Sequence, residues 1–575
     1  MTDKTIKTDV LVLGGGLAGC FAAIKAAEKG VSVVIFEKAH IDRSGNGTTG
    51  LHRIPLINPD YNFSYKEFAE KNVAWAGGIA DEDVSYAFAE GTLDCVLDLE
   101  AWGLKCRKDD GQFLFKKALD IAPGNTVIWP TEYSAWHNMK PILARKVKSF
   151  NNVRVFNRTS AISLLNKNGA VGNDIVGALA LRTRTGEFIT CKAKAVILTS
   201  GGSYRLGRNK DSLYAPTRFV ECGAPTNAGE GHVMAFRAGA ELVNLEFAKY
   251  SNVWKDFSHW GGGPCFSVCT PVDGNGESIK PEIGKPKNFS IYEKVFNLGY
   301  ASRGPLYYDA SAVDGYPEEK GEMRDFLIAL QNESTYPGYA LWMKERGEDF
   351  RKNPVEFETH PAYLHNNQAG IYMNAKAEST LKGFYVAGDV IGGSWRQSSG
   401  GAFVFGAKAG INAAEFAKKQ KQLANINRDQ LKKEKKRILD PLSISPDDGY
   451  SWIDLEDKAR KIATEYGPPF TSDAKLKRGI QHLDRIKTRY LPLLWAKTPR
   501  DMMRVSEVKG IFRIVEMFLK GALFRKESRH PMVSIFYKTD HPERNDSKWL
   551  KHTSYTYQKS ALKLRTKPVR RLKRA

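Results

Sequence analysis

The stretch "TDVLVLGGGLAGCFAAIKAAEKGVSVVIFEKA", Thr8 to Ala39, decides the fold. Four apolar residues, 10–13, run into a glycine cluster. An alanine-rich segment follows to Lys29, Gly30 ends it, and a second apolar run, 31–36, closes on Glu37. The pattern predicts strand, helix and parallel strand, a βαβ unit. Gly14, Gly16 and Gly19 are spaced as GxGxxG. The first permits a tight turn, the second lets the backbone approach a pyrophosphate, and the third packs helix against strand. The helix N-terminus then faces the phosphates. Glu37 lies 23 residues past Gly14, about where an acidic side chain takes ribose hydroxyls. The unit implies a bound dinucleotide.

Two more strand-plus-glycine elements follow, "AKAVILTSGGSYR" (193–205) and "LKGFYVAGDVIGG" (381–393), the latter leading into the small-residue helix "GAFVFGAKAGINAAEFA". The nucleotide fold therefore returns after an insertion. Residues 251–350 are rich in Gly, Pro and aromatics and read as an inserted lid. From about Asp447 the pattern turns helical, as in "KLKRGIQHLDRIKTRYLPLL" and "SEVKGIFRIVEMFLKGALFRKESR". The expected class is α/β: a Rossmann-type dinucleotide-binding domain in two parts (1–250 and 351–417), an inserted α+β capping domain (251–350), and a helical C-terminal domain with a basic tail (418–575).

The 575 residues, 42% of them hydrophobic, suffice for several cores. No run of about 18 apolar residues offers a membrane span, and the N-terminus reads as a first strand, not a secretory leader. The expected location is the cytoplasm. The seven cysteines, Cys20, Cys95, Cys106, Cys191, Cys222, Cys265 and Cys269, are scattered without a CxxC pair, so neither a disulfide framework nor a metal or cluster site of the chain's own is expected. The net charge is +22, with basic runs at 418–437 and in the tail "KSALKLRTKPVRRLKRA". They read as a solvated helix face and a loose tail, or as a docking surface for an acidic or membrane-associated complex. No nucleic-acid module accompanies them.

With these pieces in order, the chain resembles the flavoprotein subunits of the succinate dehydrogenase/fumarate reductase family. The glycine motif, "SGGSYR", "NAGEGHVMAFRAGAEL" (227–242), "GFYVAGDV" with "WRQSSGGAF", and "ALFRKESRHP" with "HPERNDSKWLKH" carry the resemblance. It implies FAD as cofactor, an iron–sulfur (ferredoxin-like) partner, and a small anionic substrate whose activated C=C is reduced or dehydrogenated. The implied FAD contacts are Gly14, Gly16, Leu17, Ala18, Gly19, Glu37, Lys38, Ser44, Gly45, Ser200, Gly201, Gly202, Glu230, Gly388, Asp389, Ser398 and Ser399.

In "THPAYLHNNQAGIYM" (359–373), His365 matches the family histidine that holds a substrate carboxylate. Arg396 of "WRQSSGG" matches an arginine suited to clamp it in bidentate fashion. Arg303 of "YASRGPLYYD" matches, more loosely, the arginine that returns a proton. His360 reads as a solvated neighbour.

Two positions depart from the family. Gly45 of "DRSGNGTTG" stands where covalent members carry the histidine that attaches FAD, so noncovalent FAD is expected. Ser251 and Asn252 of "LEFAKYSNVW" replace a His-Pro-Thr run, which argues against a plain four-carbon dicarboxylate. Both departures occur in the adenylylsulfate reductase alpha subunits, which "DRSGNGTTGL", "MKPILARKV", "NAGEGHVMAFRAGAEL" and "SSGGAF" of this chain also resemble. Sulfur redox chemistry, or an electron-transfer and scaffold role in a larger complex, are the alternative readings.

Overall fold

A computed structural model describes residues 3–49, 54–116, 127–128, 133–206, 224, 226–254, 269–278, 305–310, 337–349, 352–363, 368–394, 398–468, 470–531, 534 and 536–572. Strand β1 (Asp3–Leu13) feeds helix α1 (Leu17–Glu28), and β2 (Val33–Phe36) returns parallel to β1 with Val10 opposite Val33. The sheet grows through β3 (Val153–Phe156), β4 (Thr159–Asn166), β5 (Ile175–Arg182) and β6 (Phe188–Leu198). Its order is β3–β2–β1–β6–β5–β4, with the first four strands parallel. The Val, Ile and Leu runs of β2, β1 and β6 are buried on both faces, as a covered parallel sheet requires.

Helix α2 (Glu230–Ala238) and β7 (Leu242–Val243) lead out of this domain. A separate antiparallel sheet then forms from β8 (Ala248–Trp254), β9 (Thr270–Val272), β10 (Leu306–Asp309) and β11 (Val355–Tyr363), in the order β8–β11–β10–β9. The helix Pro337–Arg346 belongs to the same excursion.

The chain returns through β12 (Gly370–Tyr372), β13 (Phe384–Val386), β14 (Ile391–Gly392) and the long helix α3 (Ser398–Lys419). β13 docks parallel on the end of β6, Phe384 opposite Val196, and completes the seven-stranded sheet. Small residues let α3 cross α1 closely: a Cβ at Gly406 would lie 2.7 Å from the Ala18 carbonyl oxygen, and one at Gly410 2.3 Å from that of Ala22. The glycine helix thus packs against both the sheet and α3, which itself lies on β1, β6 and β13.

Helices α4 (Arg428–Leu439), α5 (Trp452–Tyr466), α6 (Asp473–Arg489) and α7 (Pro499–Phe524) form the helical region. Capping boxes start α5 (Ser451 with Asp454) and α7 (Thr498 with Asp501), closing helix-end donors that would otherwise be orphaned. The expectation of a helical end with a loose basic tail is corrected here. Residues 551–568 form a hairpin, β15 (Lys551–Gln558) and β16 (Ala561–Pro568), that joins a sheet ordered β14–β12–β7–β15–β16. The tail's cations serve the fold. Arg565 and Lys567 pair with Glu241 at 3.2 and 2.8 Å, and Arg570 pairs with Asp81 and Asp83, each at 3.0 Å.

Candidate functional site

The nucleotide loop shows why each glycine is there. Gly14 takes φ +109°, and a Cβ on it would lie 2.6 Å from the Thr199 carbonyl oxygen at the end of β6. One on Gly19 would lie 1.9 Å from the Gly14 carbonyl oxygen, so the helix can close on the strand end only without a side chain. Gly16 differs: a Cβ there would meet nothing nearer than the Gly45 Cα at 3.9 Å. Gly16 is also the N-cap of α1, and no side chain caps this helix. Open space before an uncapped helix start fits a diphosphate.

The other expected contacts converge on this loop. Glu37 accepts hydrogen bonds from the Gly15 and Ala39 N–H groups, both at 2.6 Å, which fixes its carboxylate at the end of β2 with lone pairs left for a ribose. Ser44 donates to the Gly15 carbonyl at 3.0 Å, bringing Gly45 (φ +83°) against Gly16. On the far side, Gly388 takes φ +79°, and a Cβ there would lie 3.1 Å from that of Ala18, the neighbour of Leu17. Asp389 accepts from the Tyr204 hydroxyl at 2.6 Å, which ties the turn after β13 to the turn after β6. In that turn Gly201 has φ +76° beside Gly202, and the hydroxyls of Ser200 and Ser203 are buried without a hydrogen-bond partner among the described residues. Ser398 opens α3 and Ser399 is buried in its first turn. A cradle of open glycine, unpaired hydroxyls and an uncapped helix fits FAD.

Lys38 and Glu230 are placed differently from the rest. They pair with each other, and the Lys38 ammonium also meets Glu507 of α7 at 2.8 Å. Arg205 bonds Glu507 and Glu456 of α5, and Arg504 reaches Glu507 at 2.9 Å. This buried ion cluster joins the end of β2, α2 and the helical region. Desolvation pulls Lys38 down, but Glu230 and Glu507 outweigh it and raise its pKa. Desolvation likewise pushes Glu507 up, yet Lys38, Arg205 and Arg504 bring it down to about 2. Nearby, His232 of α2 is fully buried. Burial lowers its pKa to about 4, with the charge of Asp389 and the backbone of Gly229 and Val390 offsetting this only in part.

His365, Arg396 and Arg303 lie outside the described residues, but their flanks do not. The Gly393 N–H donates to the Gln368 carbonyl at 2.9 Å, so the segments carrying His365 and Arg396 meet. Arg303 precedes β10, whose Leu306 stands opposite Phe357 of β11, the strand that leads to His365. β8 pairs with β11 so that Ser251 stands opposite His360 and Asn252 opposite Thr359. Sequence reasoning does not find the buried polar residues behind this meeting point: Asp81, Asn244, Gln368 and His552.

The glycine cradle and the returning β13–α3 unit define an FAD-binding flavoprotein, and a family model described as FAD binding domain matches residues 9–251. A second model, Fumarate reductase flavoprotein C-term, matches residues 456–573. The chain is 24% identical to an uncharacterized FAD-dependent oxidoreductase of Methanocaldococcus jannaschii, covering 94% of each. It is 23% identical to a fumarate reductase flavoprotein subunit of Mycobacterium tuberculosis, covering 96% of this chain and 94% of that one. In fold it is similar to the adenylylsulfate reductase of Archaeoglobus fulgidus, with a TM-score of 0.83 at 24% identity over 99% and 97% of the two chains. The chain belongs to the fumarate reductase/succinate dehydrogenase flavoprotein family and is an FAD-dependent oxidoreductase. Among the described residues no helix is long and apolar enough to cross a membrane.

Proposed function

We propose that this flavoprotein reduces, or in reverse dehydrogenates, the activated C=C of a small carboxylate, exchanging electrons with an iron–sulfur partner subunit. The observation that supports the reading is the hydrogen bond between Gly393 and Gln368, because it joins the chain three residues before Arg396 to the chain three residues after His365. Arg396 clamps the substrate carboxylate in bidentate fashion, and His365 supports it and the charge that develops on it. Arg303 returns the proton at the carbon next to the carboxylate. Bound FAD supplies the hydride. The register of β8 on β11 supports a further role. Directly opposite residues of an antiparallel pair share a face, and position 360 lies across from the one where Ser251 replaces a family histidine. On this reading His360 supplies that histidine from the facing strand, and a dicarboxylate returns as a substrate.

FAD is held without a covalent bond, since Gly45 offers no side chain to attach it. The same glycine favours a second reading, sulfur chemistry of the adenylylsulfate reductase kind. The test is anaerobic. The flavin is reduced until its yellow band bleaches, and fumarate, other enoates and adenylylsulfate are added in turn. Return of the band with an enoate supports the proposal; reoxidation by adenylylsulfate alone overturns it in favour of the second reading.

A further inference from the structure

Asp81 precedes a short helix early in the chain, Asn244 follows β7, and His552 begins the C-terminal hairpin. All three are buried, with relative exposures of 0%. They close a ring of hydrogen bonds with the two backbone segments of the candidate site. The Asp81 N–H donates to the Gly393 carbonyl at 2.8 Å, and the Gly393 N–H donates to the Gln368 carbonyl at 2.9 Å. The Asn244 amide Nδ2 donates to that same carbonyl at 3.2 Å and lies 2.9 Å from His552 Nδ1. His552 Nε2 lies 3.0 Å from Asp81 Oδ1, and the ring is complete.

The ring has one polarity. Asn244 Oδ1 accepts from the Thr553 N–H at 3.1 Å, so its Nδ2 is the donor facing His552. His552 Nδ1 must then accept, and its Nε2 carries the proton to Asp81. The ring grips the chain three residues after His365, at Gln368, and three residues before Arg396, at Gly393. It therefore fixes, relative to each other, the two chain positions from which the His365 and Arg396 segments leave. The side-chain amide of Gln368, 2% exposed, has no partner on either atom among the described residues, where the backbone carbonyl secures this residue.

We propose that Asp81, Asn244 and His552 are positioning residues of the substrate site, acting by fixing the Gln368 and Gly393 segments relative to each other. This rests on the carboxylate-binding reading given above. A displacement of about 1 Å in such a site costs up to about a hundredfold.

The test uses the FAD-loaded protein. Malonate is titrated while the flavin absorption spectrum is followed, in wild type, His552→Gln and Asn244→Asp, the latter placing an anion against the Gln368 carbonyl. Both variants are expected to bind malonate about tenfold or more weakly at unchanged FAD content, and Asp81→Asn, which keeps an acceptor for His552, to bind it better than Asp81→Ala. Hydrogen exchange supplies a readout independent of any substrate. His552→Gln is expected to speed exchange in peptides covering 368–373 and 390–394 together, and not in those covering β1 and α1. A wild-type flavin that ignores malonate and every enoate would overturn the carboxylate reading while the exchange result still judges the ring. Faster exchange confined to the C-terminal hairpin, or unchanged malonate affinity in both variants, would overturn the positioning role.

Discussion

Ser251 and His360 stand directly opposite each other where β8 pairs antiparallel with β11. The sequence separates them by over a hundred residues and reads His360 as a solvated neighbour; the register sets the two positions across from each other in the sheet that leads to His365. Replacing His360 with Ala is expected to lower kcat/KM for a dicarboxylate by about ten- to a hundredfold, the worth of one hydrogen bond to a charged group. FAD content should not change. Steady-state kinetics with fumarate against crotonate, which has a single carboxylate, separate the cases. A loss confined to the dicarboxylate supports the assignment, and equal rates in variant and wild type would remove it.

The glycines of the nucleotide loop predict two opposite phenotypes. A Cβ on Gly19 would lie 1.9 Å from the Gly14 carbonyl oxygen, so Gly19→Ala must push α1 off the strand end. Loss of soluble, folded protein is expected. Gly16→Ala meets nothing closer than 3.9 Å within the protein and should fold normally. It should nonetheless bind FAD at least about tenfold more weakly, because the methyl enters the space a phosphate needs. Thermal melting of the flavin-free proteins and a flavin-fluorescence titration check both. Tight FAD binding by Gly16→Ala would place the diphosphate elsewhere.

The contrast between these residues explains what a sequence can disclose. The glycine unit is legible because its constraints are local: turn, helix start and strand follow within Thr8–Ala39. The ring of Asp81, Asn244 and His552 is not, because its members lie 308 and 471 positions apart and no local pattern marks any of them. The basic tail misleads for a related reason. β16 is an exposed edge strand rich in lysine and arginine, so its composition reads as solvated, while β15, its hairpin partner, is held by β7 from far earlier in the chain. Lys38 and Glu230 lie close to the expected cofactor site, but their charges turn towards α7, which no nearby residue announces.

The ion cluster predicts a stability effect. Glu507 faces Lys38, Arg205 and Arg504, and its side chain is 3% exposed. Glu507→Gln leaves buried cations short of one carboxylate, and removing one partner of a buried pair costs about 3 to 5 kcal/mol. Urea unfolding of the flavin-loaded protein should show that loss at an unchanged slope. Because the cluster joins β2 and α2 to α5 and α7, the helical region is expected to detach first, seen as earlier proteolysis within 452–524 than within 3–36. A variant as stable as wild type would mean that water or rearranged side chains solvate the freed cations.

His232 predicts the direction of acid sensitivity. Burial holds its pKa at about 4, below the ordinary 6.5, so the fold keeps the ring neutral. Above pH 6.5 neither state binds the proton and this residue adds no pH dependence. As pH falls from there towards about 4, the unfolded chain takes up a proton that the folded chain refuses, and stability drops by up to about 1.4 kcal/mol per pH unit. Below that window both states are protonated and the loss is complete. Replacing His232 with Gln removes the titrating ring at similar volume. Its melting temperature should fall less than that of wild type between pH 6.5 and 4.5, with every carboxylate still present in both proteins as the internal control. Parallel melting curves across this range would show that the ring acquires a proton inside the fold, which its complete burial argues against.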